Sequence, residues 1–145
     1  MNDSLKYREL TDKIIGVFYE VYNELGFGFL ESVYENSLAL VLKARGLKVE
    51  QQIPIPVWFR GQKVGDFIAD LIIENAVLLE LKAVRTIEQA HLAQLLNYLR
   101  ATEIEVGLLL NFGNRPEFKR LAFDNQRKKL QSSSRSLIEN LLSKD

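Results

Sequence analysis

From Ile14 to Leu25 the apolar residues Ile14, Ile15, Phe18, Val21, Tyr22 and Leu25 keep a spacing of three to four. That period predicts a helix capped by Asp3 or Ser4 and running to about Glu24, with Gly26-Phe27-Gly28 breaking it. A second helix is predicted from about Leu30 to Arg45, stopped by Gly46. The pattern then turns to strands. Val49–Ile53 is one, and Pro54 and Pro56 mark an edge or an irregular passage. Val57–Arg60 and Lys63–Glu74 flank a Gly61-Gln62 turn, and a second turn at Glu74-Asn75 leads into Ala76–Val84. Thr86 opens a third helix, with Gln89 completing a capping-box pattern, and the helix runs to about Ala101. Val106–Asn111 reads as a short buried strand before the turn Asn111-Phe112-Gly113-Asn114. Phe118–Phe123 reads as a further strand and Ser136–Leu142 as a last helix. The order α-α-β-β-β-β-α-β-(β)-α predicts an α/β or α+β layered fold with a mixed central sheet flanked by helices.

Composition narrows the classes. The chain has 145 residues, 47% hydrophobic and 26% charged, which suits one globular domain. A chain of that length buries enough surface to fold without metals or disulfides. Cysteine is absent, so disulfide scaffolds, thiolate zinc sites and cysteine nucleophiles are excluded. The start, Met1-Asn2-Asp3-Ser4-Leu5-Lys6, has no basic region followed by an apolar run. No apolar run approaches the roughly 20 residues needed to span a bilayer. The expectation is a cytoplasmic protein with no membrane partner.

Formal charge is zero, but unevenly spread. Residues 115–135 hold seven Lys or Arg against Glu117 and Asp124, which leaves twelve basic and seventeen acidic residues elsewhere. A basic C-terminal third on an acidic body fits either a polyanion footprint or a solvated face.

The segment Gly65–Lys82 carries the candidate chemistry. If the hairpin turns about Asn75, opposing residue numbers sum to about 150, so Asp70 faces Glu80 and Ile68 faces Lys82. Lys82, two residues along, shares the face of Glu80. Leu71, Ile73, Val77, Leu79 and Leu81 line one face; Ile68, Ile72 and Leu78 line the other with the three charged residues. A strand apolar on both sides is covered on both sides. Opposed carboxylates there repel one another and lose hydration, which a divalent cation would relieve. A structural ion pair at a strand end is the alternative, and a one-residue slip of register would separate the groups.

The helices add polar groups. His91, Gln94 and Tyr98 share one face of the third helix, apart from the stripe Leu92, Leu95, Leu96 and Leu99. His91 is the only histidine, so a histidine-rich metal site is excluded. Glu31 and Glu35 share a face of the second helix with Tyr34 adjacent; either acid could reach a metal, and Glu35 reads as an ordinary surface glutamate.

Together these pieces resemble a known family. Gly28-Phe29-Leu30-Glu31-Ser32-Val33-Tyr34 matches the signature of the GxxExxY proteins, placed in the PD-(D/E)xK nuclease superfamily near its RecB-like branch. Asp70 matches the first acid, with Ala69 in place of the proline, and Glu80-Leu81-Lys82 matches the (D/E)xK element. Gln94-Leu95-Leu96-Asn97-Tyr98 resembles the QxxxY motif, and Val106–Gly113 the closing strand and loop. The resemblance covers about Asp12 to Phe123. It implies a restriction-endonuclease-like αβββαβ core. It also implies that Glu31, Asp70 and Glu80, with the Leu81 carbonyl, ligate Mg²⁺ or Mn²⁺. Lys82 would orient the attacking water. Gln94, Tyr98 and Tyr34 would contact substrate or brace the site.

Residues 1–123 are thus expected to form the nuclease-like domain, and residues 124–145 a basic, partly helical extension. The expected activity is metal-dependent hydrolysis of phosphodiester bonds in nucleic acid, with DNA as the favoured polymer. A homodimer would let so small a nuclease cut two strands. The alternative is a nucleic-acid- or protein-binding module that keeps the fold without turnover.

Overall fold

The computed structural model describes residues 7–128. Helix α1 spans Arg8–Leu25 and buries Ile14, Val17, Phe18 and Val21 on one stripe. Its N-cap is Tyr7, in a left-handed conformation with no side-chain cap bond; Asp3 and Ser4 lie outside the described residues. Helix α2 spans Glu31–Ala44. Its end is a Schellman motif, with Gly46 (φ 84°) donating to Lys43 O at 2.9 Å and Leu47 to Leu42 O at 3.2 Å. A side chain at Gly46 would be strained there, which explains the stop read from the sequence.

Five strands form one sheet in the order β1-β2-β3-β4-β5. They are β1 (Val49–Phe59), β2 (Gln62–Ile73), β3 (Val77–Lys82), β4 (Val106–Phe112) and β5 (Pro116–Ala122). Only β3 and β4 are parallel, and helix α3 (Gln89–Ala101) makes the crossover between them. The mixed, helix-flanked sheet agrees with the sequence reading, and α2 through β4 supply the αβββαβ order.

Two expectations about strands change. Val49–Ile53 and Val57–Arg60 are one strand, because β1 lies at the sheet edge. Its pairing with β2 runs on through Pro54 and Pro56, whose ring nitrogens therefore face outward. The first hairpin turns on Arg60-Gly61 (φ 50° and 75°), one residue earlier than expected, since Phe59 pairs with Gln62.

Helices α1 and α2 cover one sheet face, packing on Leu71, Ile73, Val77, Leu79, Leu81, Leu108 and Leu110. Helix α3 covers the other, with Leu95 and Leu99 against Ile72, Leu78 and Leu109. The β3 and β4 strands are therefore apolar on both sides. Helix α3 approaches β4 closely: a Cβ on Gly107 would lie 2.8 Å from Leu95 Cδ1.

The α3 start also moves. Its N-cap is Glu88 rather than Thr86, and His91 Nδ1 accepts the Glu88 N–H at 3.0 Å. His91 thereby closes the capping box of α3. The Ser136–Leu142 helix lies outside the described residues. Among those described, no helix is long and apolar enough to cross a membrane.

Candidate active site

The expected register holds where β2 and β3 pair: Leu71–Leu79, Ile72–Leu78 and Ile73–Val77. The ladder then ends, one step short of Asp70 and Glu80, while β3 stays paired with β4 out to Lys82–Asn111. The Ile68–Lys82 pair is therefore not formed, and Ile68 is exposed. Carboxylates take over where the backbone pairing stops. Asp70 Oδ2 accepts the Leu81 N–H at 2.9 Å, and Glu80 Oε1 accepts the Asp70 N–H at 3.3 Å.

A change of face accompanies the split. Leu71 and Ile73 pack under α1 and α2, whereas Ala69 and Phe67, of the same parity, pack with α3. On β1 the switch falls between Val49 and Ile53, where Gln52 has a φ of 52°. Asp70 thus sits where the long β1–β2 arm twists over α3.

Glu80 is 6% exposed. Burial, and next the Asp70 carboxylate, push its pKa up to about 8; the Asp70 N–H and the Lys82 ammonium act against this, and Glu31 adds to it. Lys82 Nζ donates to Gln94 Oε1 at 3.2 Å. Tyr98 stacks on Phe67 with ring centroids 3.6 Å apart. Burial, then Glu80 and Asp70, raise the Tyr98 hydroxyl above its ordinary pKa, while a bond to Gln94 lowers it. The α3 stripe of Gln94 and Tyr98 thus faces the acids, as the spacing allowed.

Helix α2 contributes differently from expectation. Glu31, its first residue, is exposed and acts on Glu80 through space. Glu35, read as an ordinary surface acid, is only 8% exposed. Its carboxylate accepts Gln51 Nε2 at 2.8 Å and Gln52 Nε2 at 2.5 Å, and Gln52 Nε2 also lies 3.4 Å from Asp70 Oδ1. The short amide side chains of β1 bridge α2 to the site. Tyr34 is fully buried and stacks on Phe112 at 4.2 Å. Its hydroxyl donates to Gly26 O at 2.5 Å and accepts the Phe29 N–H at 3.2 Å, clamping the loop before α2.

Sequence reasoning missed Asn111. It is fully buried, and its amide holds both backbone groups of Val84: Oδ1 accepts the N–H at 3.0 Å and Nδ2 donates to the carbonyl at 2.9 Å. This fixes the chain just after Lys82. A lone polar residue in the otherwise apolar run Val106–Phe112 was the available signal.

Among the described residues no group of three or more His, Asp or Glu side chains is arranged to hold a metal ion. Two adjacent carboxylates nevertheless suit Mg²⁺, which keeps several waters and needs only one or two protein carboxylates. The raised pKa of Glu80 records the same misfit of two acids without a cation.

A family model described as the PD-(D/E)XK nuclease superfamily matches residues 8–121. This chain belongs to that superfamily. The superfamily's name spells out an acid followed by an acid–x–lysine element; Asp70 and Glu80-Leu81-Lys82 stand in that order here. A solved structure, described as the crystal structure of SSO0001, shares the fold with a TM-score of 0.51 at 19% identity. The match covers 92% of this chain and 69% of that one. No curated protein matches the chain.

Proposed function

We propose that this PD-(D/E)XK protein is a Mg²⁺- or Mn²⁺-dependent nuclease that hydrolyses phosphodiester bonds in DNA. The observation that carries the reading is the pair Asp70–Glu80 at the split of β2 from β3, with Lys82 beside it, in a chain of this superfamily. Asp70, Glu80 and the Leu81 carbonyl would hold the cation, with Glu31, which acts on Glu80 through space, reaching it through a bound water. When bound, a divalent cation lowers the pKa of a water and stabilises charge on the scissile phosphate. Lys82 orients the attacking water, and Gln94 holds the Lys82 ammonium. Glu80 would hold the cation as the carboxylate, its proton released to solvent.

The GxxExxY signature and the QxxxY spacing favour membership of the GxxExxY group near the RecB-like branch. We assign the catalytic unit to residues 1–123 and a basic extension to residues 124–145. A cytoplasmic homodimer is the assembly we favour.

The test is cleavage of single-stranded, duplex and branched DNA, and of RNA, in Mn²⁺ or EDTA. Asp70→Asn and Glu80→Gln should each lower the rate at least about 100-fold, the usual scale for losing a transition-state stabiliser. Full activity in both variants would overturn the assignment. Absence of both cleavage and Mn²⁺ binding would favour the non-catalytic module.

A further inference from the structure

A concavity of about 370 Å³ lies between the Phe27-Gly28-Phe29 loop and the Val84-Arg85 segment, with Gly113 in its wall. Both sides are continuous in sequence with the site: Leu30 leads into Glu31, and Ala83 follows Lys82. Phe27 is 64% exposed and Phe29 47%, although an aromatic core lies just beneath them. The loop is clamped in this posture by the Tyr34 hydroxyl, through Gly26 O and the Phe29 N–H. Two large, exposed apolar residues thus line the same concavity as Arg85.

Three of the wall's backbone groups are already engaged. Asn111 takes the N–H and carbonyl of Val84, and the Tyr22 hydroxyl donates to Gly113 O at 2.7 Å. The side chains of the lining add two exposed aromatic rings and a cation, with Asn114 at the Gly113 side. Such a surface suits a flat, polarisable group attached to an anion, and it discriminates poorly between groups of that kind.

We propose that this pocket takes an unpaired nucleobase of the strand held at the carboxylates, stacked against Phe27 and Phe29, with Arg85 on an adjoining phosphate. The inference rests on the nuclease reading for the chemistry of the strand. A base inside a duplex is already stacked and paired, so it must leave its helix to enter. The substrate class that follows is single-stranded or splayed DNA, bound with little preference among bases.

The test is binding of a fluorescent single-stranded oligonucleotide, its abasic counterpart and a blunt duplex, by the full chain in EDTA. Phe27→Ala should weaken single-strand binding about tenfold, the scale of one lost base–aromatic stack. Phe27→Tyr should restore it, and duplex binding should not change. Matching thermal melts would show that the fold is intact. Unchanged single-strand affinity in Phe27→Ala/Phe29→Ala, or none in the unaltered protein, would overturn the proposal. Metal-dependent cleavage alongside such unchanged affinity would sink the pocket and leave the nuclease. Aromatic-dependent binding without cleavage in any metal would do the reverse.

Discussion

Glu80 holds a proton at neutral pH in the absence of a cation, because burial and the Asp70 carboxylate both oppose a second negative charge. Its pKa rises from 4.5 to about 8 on folding, so between those values the folded chain binds more protons than the unfolded one. Stability from this group is therefore fully present below about pH 4.5 and falls as pH climbs towards 8. Melting temperatures of the metal-free protein across that window should decline, and Glu80→Gln should flatten the decline. Saturating Mn²⁺ should oppose it in the unaltered protein, since the cation favours the ionised form. A second prediction concerns Gly113. A Cβ there would lie 2.2 Å from Val84 O, a backbone atom that cannot swing aside. Gly113→Ala should cost about 1–3 kcal/mol in urea unfolding and should slow cleavage, because the displaced segment follows Lys82 by two residues. Asp70, Glu80 and Lys82 were legible as a group because strand alternation and one turn fix which side chains meet. The burial of Glu35 was not, since its partners Gln51 and Gln52 come from a strand whose local twist leaves no mark in hydrophobic periodicity.

Among the described elements, the bodies of α1 and α2 and the parallel pair β3–β4 followed their patterns closely, because each buries a continuous apolar stripe. The β1–β2 arm did not. Its residues exchange faces at Gln52 and Asp70, and a period of two cannot report such an exchange. The α3 start slipped by two residues because both Thr86 and Glu88 can cap, and His91 decides between them. At the C-terminal side the charge reading is corrected in part. Lys128 Nζ donates to the carbonyls of Thr102 and Ile104, both at 2.8 Å, and burial lowers its pKa. Arg127 pairs with Asp124 at 3.0 Å and lies 5.2 Å over Phe123. Lys128 ties the chain after β5 to the end of α3, and Arg127 braces that chain locally. Lys128→Met should therefore lose about 1–3 kcal/mol of stability through two orphaned carbonyls. The salt dependence of nucleic-acid binding should stay unaltered, which parallel melts and titrations at several ionic strengths would check.

For the whole molecule, the site is a by-product of how three layers meet. Helix α2 and the β1 amides hold Asp70 from one side, α3 holds Lys82 from the other, and the sheet parts between them. The outer rim has its own consequence. Pro54 and Pro56 remove two donors from the outward side of β1, spaced at alternate residues. A neighbouring chain trying to zip onto that rim would find every second rung missing. The opposite rim, β5, carries Glu117, Lys119 and Arg120. Growth by adding a sixth strand is discouraged on both flanks, which keeps a chain with so apolar a centre from polymerising through its own backbone.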